Sequence, residues 1–162
     1  MTRVQFSYLK DRPELAIQLI PGLLKHWSYV YPDATAEQRV ARFRAHQNHD
    51  VLPIAWIAHE GNTAVGTAAL RATDLEDRED IGPWLGGVYT DPQYRGRGIA
   101  SQLCRIVESK AAQLGIPRLY LFTHGQEALY SRLGWEHVEP SIWYGHACSI
   151  KSKVPGLYDH AP

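Results

Sequence analysis

One stretch, LGGVYTDPQYRGRGIASQL from Leu85 to Leu103, constrains the fold of this chain more than any other. A strand-like run through Trp84 to Thr90 stops at Asp91-Pro92, where proline cannot donate to a ladder. The turn Arg95-Gly96-Arg97-Gly98 follows. It opens directly into Ile99, Leu103, Val107, Ala111 and Leu114, apolar residues at helical spacing. The first turn of a helix carries unpaired N–H groups and the positive end of the dipole. Gly96 and Gly98 let a ligand approach the backbone, and Arg95 and Arg97 add charge, so the turn suits a phosphate or pyrophosphate.

Two familiar phosphate binders are excluded by single residues. A P-loop needs Gly-Lys-Ser/Thr where this chain has Gly98-Ile99-Ala100. A dinucleotide fingerprint needs glycine at 101, where Ser101 sits, and belongs to the first strand of a large parallel sheet. The anion site must also be local. Lys plus Arg and Asp plus Glu each count 17, a net charge of zero, which argues against a nucleic-acid partner.

The rest of the chain supplies a sheet around that turn. Val4 to Tyr8 alternates as a strand, and a helix or helix pair follows Asp11, a candidate N-cap, with Pro21-Gly22 bending or splitting it. A further helix after Asp33 carries Val40 and Phe43 on one face and Arg39, Arg42 and Arg44 on the other. LPIAWIA and AVGTAAL flank Glu60-Gly61-Asn62 as a hairpin, and Asp74 to Asp80 reads as an exposed acidic loop. Beyond the central helix come a buried strand (Leu119 to Thr123), a short helix ending at Gly134, and two strands around Tyr144-Gly145. This order predicts an α/β fold with helices on both faces, in one domain spanning 1–162. Gly86-Gly87 inside a strand predicts a bulge or a close backbone approach.

Cys104 and Cys148 form no CxxC pair, which disfavours both a disulfide framework and a cysteine-based zinc site, and suits a reducing cytoplasm. His46 and His49, with Asp50, lack a third ligand; they read as the solvated end of a helix, and no metal is expected. The opening residues lack the apolar core of a signal peptide, and no apolar run is long enough to span a bilayer, so neither secretion nor a membrane partner is expected.

The turn, with the segments around it, resembles the GNAT family of N-acetyltransferases. The family signature, Arg or Gln, two residues, Gly, one residue, Gly or Ala, is matched by Arg95-Gly96-Arg97-Gly98-Ile99-Ala100. VYTDP before it and LYLFTHGQEALYSRLGWE after it, with Tyr130 and Gly134-Trp135, are similar too, and the stretch looks particularly like bacterial members. The resemblance implies a mixed, mostly antiparallel sheet of about six to seven strands and acetyl-CoA as co-substrate. It implies that Arg95, Gly96, Arg97, Gly98, Ile99, Ala100 and Ser101 cradle the pyrophosphate. Val88, Tyr89 and Thr90 would hydrogen-bond the pantetheine arm as an added strand.

It also implies direct transfer of acetyl to a primary amine, on a small molecule or a peptide N-terminus, within a ternary complex. Tyr130 is the candidate acid for the departing thiolate. The fourth strand has no carboxylate, so the base is left among His124, His146, Glu127 and water. That absence sustains an alternative, a non-catalytic acyl-CoA sensor. The acidic loop leads into Trp84, so Glu76, Asp77 and Glu79, with Trp84 and His124, are expected to meet a cationic acceptor. The C-terminal strands are also able to pair across a homodimer.

Overall fold

The computed structural model describes residues 3–158, and its centre is a seven-stranded sheet ordered β1-β2-β3-β4-β5-β7-β6. β1 (Val4–Tyr8), β2 (Ile54–Glu60), β3 (Thr63–Arg71) and β4 (Trp84–Thr90) form an antiparallel half. β5 (Leu119–Thr123), β7 (His146–Lys153) and β6 (Glu136–Trp143) form the other half, and β5 lies parallel to β4. Three helices separate β1 from β2: α1 (Pro13–Ala16), α2 (Ile20–His26) and α3 (Ala36–Ala45). α4 (Ile99–Gln113) links β4 to β5, and α5 (Glu127–Arg132) links β5 to β6. The α/β architecture and the strand count match the expectation.

The unbroken apolar run of β2 reflects burial on both faces. Ile54, Trp56 and Ala58 pack with Leu103, Val107 and Ala111 of α4, whereas Ala55 and Ile57 pack with Leu15, Leu19 and Leu23 on the opposite side. That alternation is the two-residue period of a strand. A third cluster gathers Val30, Leu75, Trp84, Trp143 and Ile150 beside Tyr120 and Phe122.

The helix starts correct two expectations. Asp11 is not an N-cap: it lies in a 3₁₀ turn and accepts from His49 Nε2 at 2.8 Å, while Pro13 opens α1. Pro21 sits in the first turn of α2, where its missing N–H costs nothing, and the break falls earlier, at Ile17–Leu19. α3 is fixed by a capping box, with Gln38 N–H to Thr35 Oγ1 at 3.2 Å and Thr35 N–H to Gln38 Oε1 at 2.9 Å. Such a cap contributes about 1 kcal/mol. It matters here because no residue of α3 is fully buried.

Two irregularities in β4 open the sheet. Gly86 faces Ala69 and Tyr89 faces Thr67, so β4 carries one extra residue against β3. Gly87 takes φ 60° there, a left-handed conformation that a β-carbon disfavours. On its other edge β4 meets β5 through the single pairing of Trp84 with Tyr120, supported by Tyr120 N–H to Pro83 O at 3.0 Å. Beyond that rung the two strands diverge.

Candidate active site

The divergence creates a cavity of about 670 Å³, with Leu85 to Val88 on one wall and Leu121 to His124 on the other. Val88, Glu76, His124 and Tyr130, all marked by the sequence, line it together. α5 is short, and Leu129 within it and Leu133 just after it anchor it against the α4 core, while Tyr130 lines the opening. Tyr130 is only 8% exposed, and burial raises its phenol well above the ordinary range. Its hydroxyl makes no hydrogen bond to any described residue, so it is free to donate into the cavity.

His124 continues directly from β5, and its Nδ1 lies 2.8 Å from Ala147 O on β7. A carbonyl can only accept, so Nδ1 carries the proton and Nε2 keeps a lone pair. His146 and Tyr29 pack beside it, with ring centroids at 5.4 and 5.9 Å. Glu127 is occupied by Ser149 Oγ and does not line the cavity.

The glycine-arginine turn lies past the end of β4, outside the cavity lining. The N–H groups of Gly96 through Ser101 donate to no backbone carbonyl among the described residues; the first that does is Gln102, to Gly98 O at 3.0 Å. Nothing lies within 4 Å of where a β-carbon would stand on Gly96 or Gly98. Free amides beside open space fit a phosphate oxyanion. The two arginines brace this turn from its flanks. Arg95 Nε donates to Thr90 O at 3.2 Å, while Arg97 pairs with Glu60 at 2.8 Å and lies over the Tyr94 ring. The Tyr89 side chain is buried on the α2 side of the sheet, and Tyr89 and Thr90 lie outside the cavity lining.

The acidic loop is arranged otherwise than expected. Trp84 offers no face to a cation: it is fully buried, donates from Nε1 to Ile81 O at 3.1 Å, and packs on Tyr120 and Phe122. The reason is the cluster that covers that face of the sheet, in which Val30, Leu75, Trp143 and Ile150 close over the indole. Asp77 and Glu79 are exposed but do not line the cavity. Arg78 binds Asp80 and Glu139, and Asp74 binds Arg71 at 2.8 Å. Glu76 accepts from the Tyr144 hydroxyl, whose pKa is pushed up to about 12 by that bond.

His46 also departs from expectation, because it is buried rather than solvated. Its Nδ1 donates to Arg42 O at 2.7 Å, and its Nε2 accepts from Arg71 Nε at 2.9 Å. Burial first, then the Arg71 charge, hold its pKa down at about 4, so it stays neutral. Cys104 is buried with its thiol pushed up to about 12, so at neutral pH it carries no nucleophilic thiolate.

Several cavity residues were not marked by the sequence: the arginines Arg39, Arg42 and Arg71, and the aromatic residues Tyr29, Tyr31, Trp143 and Tyr144. The only signal for the first group was the arginine-bearing face of α3. Among the described residues no group of His, Cys, Asp and Glu is placed to hold a metal, and no helix is long and apolar enough to cross a membrane.

Comparison with known proteins places this cleft in context. A model of the acetyltransferase (GNAT) family matches residues 19–135. Among solved structures, an aminoglycoside 6'-N-acetyltransferase complexed with coenzyme A is 19% identical with a TM-score of 0.74, over 95% of this chain and 98% of that one. The ribosomal-protein-S5-alanine acetyltransferase of Vibrio fischeri is 14% identical with a TM-score of 0.71, over 100% and 97%. The yncA protein of Salmonella typhimurium with its cofactor acetyl-CoA is 17% identical with a TM-score of 0.67, over 99% and 96%. At these identities the likeness is one of fold.

Proposed function

Given that this chain belongs to the acetyltransferase (GNAT) family, we propose that it transfers acetyl from acetyl-CoA directly to a primary amine bound in the same cleft. The observation that carries this reading is that Tyr130 and the free Nε2 side of His124 share the one cavity where β4 and β5 part. The pyrophosphate rests on the amides of the turn from Arg95 to Ser101. The pantetheine arm runs along the unpaired edge of β4, at Val88 and Tyr89. Thr90 offers less there, because its carbonyl already accepts from Arg95.

The amine nitrogen attacks the thioester carbonyl, forming the N–C bond. Attack leaves that nitrogen positively charged and acidic, so an imidazole is base enough to take its proton, and His124 Nε2 is placed to do so. As the C–S bond breaks, the Tyr130 hydroxyl donates to the departing sulfur. A phenol near ~10 and a thiol near ~8.5 differ by only about 2 kcal/mol, and dry surroundings raise both. The proton therefore passes to the sulfur uphill by about that amount, and Tyr130 recovers one from solvent.

Free CoA release, followed over a panel of primary amines, tests the reading. We expect turnover with at least one amine, and in His124→Gln a loss of rate at neutral pH that eases as pH rises. Binding of acetyl-CoA with no release on any amine would mean that the chain only senses the thioester.

A further inference from the structure

The charge on one wall of the cleft is not matched by ion pairs among the described residues. Arg39 and Arg42 project from α3, and Arg71 from the end of β3, into the same cavity. Arg71 is occupied: it binds Asp74 at 2.8 Å and His46 at 2.9 Å. Arg39 and Arg42 make no salt bridge or side-chain hydrogen bond to any described residue; Arg39 merely lies over the Trp27 ring at 5.7 Å. The Arg71 charge, more than any other influence, depresses the basicity of Arg42, and the one carboxylate acting on it is Asp74. Arg39 is depressed first by burial and feels no carboxylate. Asp33 and Glu76 also line the cavity but act on neither. Three guanidiniums thus share one carboxylate at a site otherwise ready for a small molecule.

We infer that the acceptor carries an anionic group besides its amine, a carboxylate foremost, and that Arg39 and Arg42 receive it. The amine half of this statement rests on the transferase reading, whereas the anion half rests on the wall itself. Guanidinium matches carboxylate in planar, bidentate geometry, and a bound oxyanion would relieve the repulsion among the three side chains. The wall also stands beside the chemistry. Arg71 NH1 lies 2.9 Å from where a β-carbon on Gly86 would stand, and NH2 2.8 Å from that position on Gly87, so the guanidinium abuts the bulge of β4. An acceptor that meets both the wall and the cleft edge carries an anion and an amine in one small molecule, and an α-amino acid is the simplest of that kind. The rings of Tyr29, Tyr31, Trp143 and Tyr144, which pack on one another in the same lining, offer an apolar surface to the acceptor's side chain.

The test is calorimetric titration of the CoA-saturated protein with the common L-α-amino acids, each against its carboxamide, plus 1-aminoalkylphosphonates as a second oxyanion. At least one acid should bind ~10-fold or more tighter than its amide, the range of a charge-assisted pair. That ratio should fall toward one in Arg39→Gln/Arg42→Gln, shrink partly in Arg42→Lys, and weaken with added salt in the wild type. A phosphonate that outcompetes the carboxylates would identify the oxyanion as phosphate-like. Amides that bind as well as acids throughout, or a preference that survives in the double variant, would overturn the site. Acid preference intact with no CoA released from acetyl-CoA would instead overturn the transferase reading and leave the anion site standing.

Discussion

The Tyr89 hydroxyl occupies the space where a β-carbon on Gly22 would stand, so α2 and β4 fit together only because residue 22 has no side chain. Gly22→Ala should therefore destabilise the fold by about 1–3 kcal/mol through overpacking, less up to ~1 kcal/mol gained in helix propensity. Tyr89→Phe removes the clashing oxygen but leaves Cζ at 3.0 Å, so it should restore part of the loss. Thermal melts of the two single variants and the double variant measure this coupling; additive losses would show that the contact is not shared.

Acid should loosen the fold through His46. Its pKa in the folded chain is about 4 against an ordinary 6.5, so the unfolded chain binds more protons between those values. Stability from this group is complete above about pH 6.5 and is lost as pH falls toward 4, by on the order of 3 kcal/mol. Urea midpoints measured across that window should fall steeply in the wild type. The slope should flatten in His46→Gln, whose amide can still donate to Arg42 O and accept from Arg71.

Tyr130→Phe keeps the ring that packs on the core and removes the only proton the side chain donates. kcat should drop by about 10²-fold with the KM for acetyl-CoA nearly unchanged. Single-turnover rates with the best acceptor are the measurement, because slow product release could hide the effect in steady state. Wild-type rates in that assay would reduce Tyr130 to a packing residue.

Gly98 separates strain from charge. At φ 76° an alanine strains the backbone by about 1–2 kcal/mol, whereas aspartate tolerates the left-handed region better. If the turn holds pyrophosphate, the order reverses for binding. Gly98→Asp should abolish acetyl-CoA affinity at little cost in melting temperature, and Gly98→Ala should lower the melting temperature more than the affinity.

Much of this fold is legible because burial on two faces leaves an apolar run, as in IAWIAHE and AVGTAAL, and because the turn at Arg95 to Gly98 carries its chemistry in consecutive residues. β6 is readable mainly by position, since it is an edge strand with Val138 and Ile142 exposed. The arginine wall is hidden for a different reason. Arg39 and Arg42 sit on the polar face of a helix, which in sequence looks solvated, and only tertiary contact brings Arg71 beside His46, 25 residues away. Trp84 misleads similarly: an aromatic after an acidic loop suggests a binding face, but residues distant in sequence, Val30, Trp143 and Ile150, close over it.

The lone rung between Trp84 and Tyr120 makes the molecule resemble a book held by its spine. α4 gathers residues of both leaves into one core, Ile54 and Val65 from one and Leu119 and Leu121 from the other. On the opposite face one cluster, with Leu15 and Leu23, belongs to the first leaf alone, and the other joins Trp84 of the first leaf to Trp143 and Ile150 of the second near the spine. Whatever lies between the leaves therefore serves as a clasp, supplying backbone partners that neither leaf can give the other. Acetyl-CoA at a hundred times its dissociation constant would add about 2.7 kcal/mol to the closed form. The protein would then be most durable while loaded, and release of spent CoA would be the moment at which its two halves are least firmly bound together.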